Sequence, residues 1–80
     1  MNPHDLASRI AVDPAVCFGR PHIIGPRVLV SLVLGFLASG STTADVLGEF
    51  PGLVEADVLA CLAFAERRRA SASALKSAAA

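Results

Sequence analysis

The chain has 80 residues, of which 54% are hydrophobic and 18% charged, and its formal net charge is zero. Soluble proteins average about 25% charged residues, so this chain is too apolar for a disordered tail and too neutral for a protein that coats nucleic acid. A chain this short supports one modest core, which excludes a large enzyme fold with its own cleft. The surplus of apolar residues therefore indicates a surface that a partner covers.

The expected compartment is the cytoplasm. No apolar run reaches the roughly 18–20 residues of a membrane span, and the charged N-terminus is unlike a signal peptide. Two cysteines, Cys17 and Cys61, are too few for a disulfide framework. We therefore expect a protein with no membrane partner.

The N-terminal part predicts a small sheet. Residues 1–8 carry no periodic pattern and are expected to be flexible. Residues 9–12 alternate polar and apolar side chains, which predicts a short strand. Two runs rich in β-branched residues, 22–24 and 27–30, flank a Gly-Pro pair typical of turns. These runs predict a β-hairpin, beside which the first strand could pair as a third strand. So small a sheet is only marginally stable by itself and needs a surface to pack on.

A first helix is predicted over residues 32–39, with Ser31 as its N-cap and Gly40 just past its end. Leu32 and Phe36 lie on one side of this helix. Its inner face is formed by apolar residues at helical spacing: Val30, Val33, Leu34 and Leu37. A helix that is apolar on two sides must be covered on two sides.

A second helix is predicted over residues 43–49. Thr42 and Asp45 have the spacing of a capping box, and Ala44 and Leu47 are expected to face inward, with Val46 as a third candidate. Residues 50–53, Phe-Pro-Gly-Leu, end this helix because proline disfavours a helical residue before it.

A third helix is predicted to begin at Glu55 and to end around residues 67–69. Its expected inner stripe consists of Val54, Val58, Cys61, Leu62 and Ala65. Residues 70–80 are almost entirely alanine and serine, which is typical of either a frayed helical extension or disorder.

The sequence predicts neither a catalytic group nor a metal or other cofactor. His4 lies in a loose terminus, Cys61 lies on a helix stripe, and Cys17 and His22 flank a loop where structural roles are the simpler interpretation. Zinc needs three or four ligands at characteristic spacings, and neither a C-x-x-C unit nor a Gly-rich phosphate loop is present. We therefore expect no enzyme activity and no small-molecule substrate.

The last two helices have helix-turn-helix proportions, a weak indication of DNA binding. Glu55 and Asp57 stand where the second helix would meet DNA and would repel phosphates. The basic residues lie elsewhere: Arg9, Arg20, Arg27, Arg67, Arg68, Arg69 and Lys76. A DNA-binding dimer would use these arginines as phosphate contacts, although the triple arginine is equally a solvated helix end.

The collinear order of several short segments is more specific than any one of them. They are Arg9-Ile10, Asp13-Pro14, Phe18-Gly19-Arg20-Pro21, Ile23, Gly25, Arg27-Val28, Val30-Ser31, Leu37-Ala38-Ser39-Gly40, Val46-Leu47, Phe50-Pro51-Gly52-Leu53, Asp57-Val58 and Leu62-Ala63-Phe64-Ala65. Over residues 9–67 the chain resembles the domain-of-unknown-function 433 family. The resemblance implies a helix-turn-helix-like domain after a short β element, and an antitoxin of the VapB type that silences a PIN-like ribonuclease toxin.

Two positions depart from the family pattern. The turn usually reads Arg-Gly-Thr-Arg, and here it is Ile24-Gly25-Pro26-Arg27, so any anion contact by the turn depends on Arg27. Val54 replaces the usual Thr or Ser cap of the last helix, a loss that costs about 0.5–2 kcal/mol. The apolar framework is unchanged by either departure.

We therefore expect a mainly α fold, with a helix-turn-helix-like three-helix domain over residues 9–69 and a short N-terminal β-hairpin. The expected function is a type II antitoxin that binds a PIN-like toxin as a homodimer, with repression of its own operon through operator DNA as a second activity. The expected DNA contacts are Arg20, Arg27, Arg67, Arg68 and Arg69, and the expected dimer contacts are Val28, Val30, Leu32 and Phe36. The alternatives are a stand-alone repressor and a structural dimer module that binds no DNA.

Overall fold

The computed structural model describes the backbone of residues 3–79 and the side chains of residues 5–70. In chain order the elements are α1 (Pro3–Ala7), β1 (Ile10–Ala11), a 3-10 turn (Cys17–Gly19), β2 (His22–Ile23), α2 (Val30–Ala38), α3 (Thr43–Glu49) and α4 (Glu55–Ala79). The predicted mainly helical fold with a short N-terminal hairpin is confirmed. None of the helices in the described part of the chain has the length and apolar character that a membrane crossing requires.

The sequence did not predict α1. This helix packs against α4, and Asp5 in its first turn suits the positive end of the helix dipole. The Ser8 hydroxyl donates a hydrogen bond to the Asp5 carbonyl at 2.7 Å just past the end of the helix. Five residues are too few for an apolar period to be visible in the sequence. Residues 1 and 2, part of the segment expected to be flexible, lie outside the described range.

The hairpin pairs different arms from those predicted. β1 runs antiparallel to β2, with Ile10 opposite Ile23. The expected return arm over residues 27–30 contributes a single bridge from Leu29 to His22, because the chain enters α2 immediately afterwards. The first strand is therefore an essential half of the sheet and not an addition to it.

α2 begins two residues earlier than predicted and has no side-chain cap. Its N-cap is Leu29, whereas the sequence predicts Ser31. Its end matches the prediction: Gly40 has a φ of +102°, a left-handed conformation that glycine adopts without steric cost. The Gly40 N–H donates to the Leu37 carbonyl at 3.1 Å and the Ser41 N–H to the Phe36 carbonyl at 3.1 Å. These two bonds form a Schellman motif, which satisfies the last carbonyls of the helix.

α3 has the predicted bounds and the predicted capping box. The Asp45 N–H donates to the Thr42 hydroxyl at 3.1 Å, and the Thr42 N–H donates to the Asp45 carboxylate at 2.9 Å. The backbone and hydroxyl hydrogen bonds of Thr42 hold the pKa of Asp45 below its usual value. The inner face is partly the predicted one, because Val46 is buried and Leu47 packs against the core, but Ala44 is exposed.

The first turn of α4 carries a buried acid that the sequence placed at the surface. Asp57 is 6% exposed. One carboxylate oxygen accepts the Val54 N–H at 3.1 Å, and the other accepts Arg9 Nη1 at 3.1 Å. This carboxylate supplies one half of a capping box, at the N–H of Val54, while the hydroxyl that would supply the other half is missing at Val54.

The inner stripe of α4 is only partly the predicted one. Val58 and Cys61 are buried as expected, but Val54 is 52% and Leu62 46% exposed. Ala60 is buried in their place. The core thus brings together all the larger elements, and its buried members are Ile23, Val30, Val33, Val46, Leu53, Val58 and Cys61.

The core holds the helix-turn-helix-like half of the chain against the hairpin. α2 packs on both α3 and α4, and the rings of Phe36 and Phe50 meet edge to face with centroids 5.6 Å apart. α4 continues as backbone helix through residues 70–79, one of the two states expected for the tail. The side chains of residues 71–80, Lys76 among them, lie outside the described residues.

Candidate functional site

Two grooves flank α2. The first has a volume of about 420 Å³ and is lined by Arg20, Pro21, Val30, Ser31, Leu34, Phe64, Ala65 and Arg68. The second has a volume of about 310 Å³ and is lined by Ser31, Leu32, Gly35, Phe36 and Ser39. Ser31 contributes to both, so the two grooves are neighbours on either side of this residue.

The first groove is apolar on its floor and basic on its rim. Its described lining residues include four apolar side chains of substantial size, Pro21, Val30, Leu34 and Phe64, and no acid. Arg20 and Arg68 are both exposed. We call this feature the arginine groove, and its arginines come from positions 48 residues apart in the sequence.

Arg20 is held at the rim by its backbone. The Arg20 N–H donates to the Cys17 carbonyl at 3.1 Å, and the Pro21 carbonyl accepts the Val30 N–H at 3.1 Å. His22 Nδ1 lies 3.1 Å from the Arg20 carbonyl oxygen. Because a carbonyl oxygen only accepts, Nδ1 must carry the proton there. These bonds tie the segment before β2 to the start of α2.

Arg68 is positioned by the ring one helical turn before it. Its guanidinium carbon lies 5.5 Å from the centroid of the Phe64 ring, within the range of a cation–π contact. Phe64 in turn packs against the core. Within the described part of the chain, no carboxylate forms an ion pair with Arg68 or Arg20, and no hydrogen bond occupies the N–H donors of their guanidinium groups.

The remaining predicted DNA contacts are dispersed. Arg67 is exposed on α4, and Arg27 is exposed at the turn with a φ of +58°. Arg69 makes two short bonds to the Glu66 carboxylate, at 2.6 and 2.7 Å. That pairing raises the pKa of Arg69 and neutralises one of the three consecutive arginines locally. Of the five arginines, Arg20 and Arg68 line the same groove and the other three lie outside it, so the five do not form a single patch.

The predicted dimer contacts divide in the same way. Val30 is 2% exposed and packs in the core of its own chain, and Val28 is half-buried against that core. Leu32 is 45% exposed. Leu32 and Phe36 both line the second groove, which we call the α2 groove. The surface that remains for a second copy is therefore the outer face of α2.

The cysteine and histidine candidates have structural surroundings. Cys17 Sγ lies 3.5 Å from the Arg27 carbonyl oxygen, which braces the 3-10 turn against the hairpin turn. Cys61 is buried, and burial, with a smaller contribution from the charge of Asp57, raises the pKa of its thiol to about 11. His22 is 5% exposed and is bonded to backbone. Residues 5–70 contain no cluster of three side chains able to hold a metal ion.

Two features of the site are missed by sequence reasoning. Phe64 supplies the floor of the arginine groove, and only its spacing of four residues from Arg68 could have indicated the contact. Phe18 is 99% exposed and has φ 56° and ψ 32°, between two other residues with positive φ, Cys17 and Gly19. A bulky residue in the left-handed region is uncommon, and no local sequence pattern predicts it.

A model of the family described as "Protein of unknown function (DUF433)" matches residues 10–65. No curated protein and no solved structure matches the chain. The matched range begins at β1, includes α2 and α3, and ends in α4 beside the floor of the arginine groove. Since it covers well over half of the sequence, the chain belongs to the DUF433 family.

Proposed function

We propose that this protein is a type II antitoxin, which forms a homodimer and neutralises a PIN-like ribonuclease toxin by direct contact. The single observation that supports a protein partner is the exposure of Phe18. Its ring is 99% exposed, so it stabilises nothing within the chain, while its left-handed backbone costs of order 1–3 kcal/mol. An aromatic side chain presented in this way is typical of an anchor at a protein interface.

The outer face of α2 supports the dimer. Ser31, Gly35 and Ser39 recur every four residues along the α2 groove, so their small side chains allow another helix to approach closely, with Leu32 and Phe36 beside them. A second copy laid against this face would cover Leu32, the exposed large apolar side chain of α2. The two apolar sides of α2 would then both be covered, one by the core of its own chain and the other by the second copy.

The proposal predicts that a PIN-like ribonuclease is encoded beside this protein, and co-expression of the two tests it. We expect the two proteins to purify as a complex in which ribonuclease activity is suppressed. Phe18→Asn should weaken that complex without unfolding the chain, because asparagine tolerates the left-handed conformation. Val12→Asn is the matched control, since Val12 is also exposed, at 61%. A nuclease that remains fully active and unbound beside the wild-type chain refutes the proposal.

The dimer has its own test. Sedimentation or light scattering at micromolar concentration should give the mass of two chains. Leu32→Glu should give the mass of one, because it places a charge on the α2 groove. Leu59→Glu is matched in exposure, 43% against 45%, but lies on α4, and should leave the dimer intact. Monomeric wild-type protein contradicts the dimer proposal.

Operator binding is the second candidate, and the burial of Asp57 favours it. The sequence places two acids where α4 would meet phosphates, yet Asp57 is neutralised by Arg9 inside the fold. Only Glu55 remains exposed there. Mobility shift with the protein's own upstream DNA should show binding that Arg67→Ala weakens, with the salt slope reduced by about one per lost phosphate contact. Arg69→Ala should matter less, because Arg69 already pairs with Glu66.

A further inference from the structure

We propose that the arginine groove is the docking site for an acidic, apolar-anchored peptide segment of the partner protein, with a carboxylate held between Arg20 and Arg68. The inference rests on the proposed function in one respect, namely that the partner is a protein. It goes further in assigning a site on this chain and the chemistry of the segment that fills it. The groove volume of about 420 Å³ is within the range of pockets that enclose side chains and small ligands.

Charge complementarity selects an anionic occupant. Among the described residues, the side chains of Arg20 and Arg68 have neither an ion-pair partner nor a hydrogen-bond acceptor, and no described lining residue is acidic. Arg9 and Arg69 do not share this condition, because Arg9 pairs with Asp57 and Arg69 with Glu66. Arg27 and Arg67 are exposed but do not line the groove. Guanidinium groups with free donors at the edge of an apolar surface bind carboxylates strongly and with defined geometry.

The apolar floor selects a peptide over nucleic acid. Pro21, Leu34 and Phe64 form a concave surface between the two arginines. A phosphate backbone is hydrated and has no apolar side chain that could fill this space, whereas an acidic residue beside a leucine or phenylalanine offers both groups at once. The groove is also partly preorganised, because the Arg68 guanidinium is held over Phe64 and the Arg20 backbone is bonded on both sides, which lowers the ordering cost of binding.

The experiment uses the full chain and a short synthetic peptide as the probe. The peptide is acetylated and amidated, so that its only anionic groups are glutamates placed beside leucines, and binding is followed by backbone amide NMR. We expect saturable shifts at the groove residues of the elements that surround it. The same peptide with glutamine in place of each glutamate should bind at least about tenfold more weakly, the size expected for losing a charge-assisted hydrogen bond.

Two double variants form a matched pair. Arg20→Gln with Arg68→Gln should abolish the preference for the glutamate peptide. Arg27→Gln with Arg67→Gln removes the same charge from exposed arginines outside the groove, and should leave the affinity within about twofold of wild type. All four positions are exposed, so both proteins are expected to fold, which their amide spectra will show.

Four outcomes overturn the proposal. They are equal affinity for the glutamine peptide, equal loss in the two double variants, shifts confined to other surfaces, and no saturable shift. Groove shifts with decanoate but not with the peptide would assign the groove to a small anionic ligand instead. Groove shifts with duplex DNA but not with the peptide would assign it to nucleic acid.

Failure of this inference and failure of the proposed function are distinguishable. If the Arg20→Gln, Arg68→Gln double variant forms the toxin complex as well as wild type, and the wild-type chain does not bind the peptide, the groove proposal is wrong and the antitoxin proposal stands. If the chain binds the peptide at the groove but forms no toxin complex, the antitoxin proposal is wrong and the groove proposal stands.

Discussion

The ion pair between Arg9 and Asp57 connects the hairpin to the start of α4, and its removal should cost more than any other surface or near-surface change. The side chain of Asp57 is 8% exposed and that of Arg9 37%. Asp57→Ala removes two acceptor contacts at once, the cap of the Val54 N–H and the bond to the guanidinium, both 3.1 Å long. A lost cap costs about 0.5–2 kcal/mol and a lost hydrogen bond to a charged group about 1.5–3 kcal/mol.

We therefore expect Asp57→Ala to lower the free energy of unfolding by about 2–4 kcal/mol, which for a domain this size lowers Tm by roughly 4–8 °C per kcal/mol. Asp57→Asn separates the two contributions, because its amide oxygen can still cap Val54 while the charge is lost. A double-mutant cycle with Arg9→Met should give a coupling energy of about 1–2 kcal/mol. Solvent reaches Arg9, so the value should stay below that of a fully buried pair.

Far-UV circular dichroism in urea is the suitable assay, because the chain has neither tryptophan nor tyrosine to report by fluorescence. Glu55→Gln is the control: Glu55 lies in the same helical turn and is exposed, so it should cost less than about 1 kcal/mol. The reasoning is refuted if Arg9→Met and Asp57→Asn are additive, or if Asp57→Ala costs no more than Glu55→Gln.

Three further predictions concern thiol burial, helix ends and helix caps. Because burial raises the pKa of Cys61 from 9.0 to about 11, the fold favours the neutral thiol. The contribution of Cys61 to stability should be constant from neutral pH to about pH 9 and fall towards pH 11, a decrease that Cys61→Ala removes and Cys17→Ser does not. Gly40→Ala should destabilise by about 1–2 kcal/mol through its φ of +102°, whereas Gly48→Ala, inside α3 with nothing within 4 Å of the new methyl group, should stabilise by about 0.5–1 kcal/mol; urea titration distinguishes the signs. Val54→Thr should stabilise by about 0.5–2 kcal/mol by completing the cap of α4, and an unchanged urea midpoint would contradict the proposed capping geometry.

Local chemistry explains which elements were predictable. The bounds of α3 follow from the capping box of Thr42 and Asp45, whose two hydrogen bonds span only three residues. The end of α2 follows from Gly40 for the same reason. The start of α2 was misplaced at Ser31, because the N–H of Val30 is satisfied by the distant Pro21 carbonyl and needs no hydroxyl cap.

Non-local contacts explain the errors. The inner stripe of α4 was assigned from apolarity, which placed Val54 and Leu62 inside and Asp57 outside. Asp57 is buried because Arg9, 48 residues away, neutralises it, and no local pattern contains that information. The arginine groove has the same origin, since Arg20 and Arg68 line one groove only once the segment before β2 has packed beside α2 and α4.

The neutral total charge of the chain conceals an uneven distribution. Arg9 and Arg69 are each matched by a carboxylate within the fold, so the arginines without an ion pair among the described residues are the other four, two of which flank the apolar groove. The α2 groove next to it is lined by serine, glycine, leucine and phenylalanine and carries no charge. Contacts at these two surfaces therefore differ in physical origin: added salt should screen the first and leave the second unaffected or strengthened. A dimer built on α2 would leave the arginine groove open beside it, so that one short helix separates the self-association surface from the surface that meets an acidic partner.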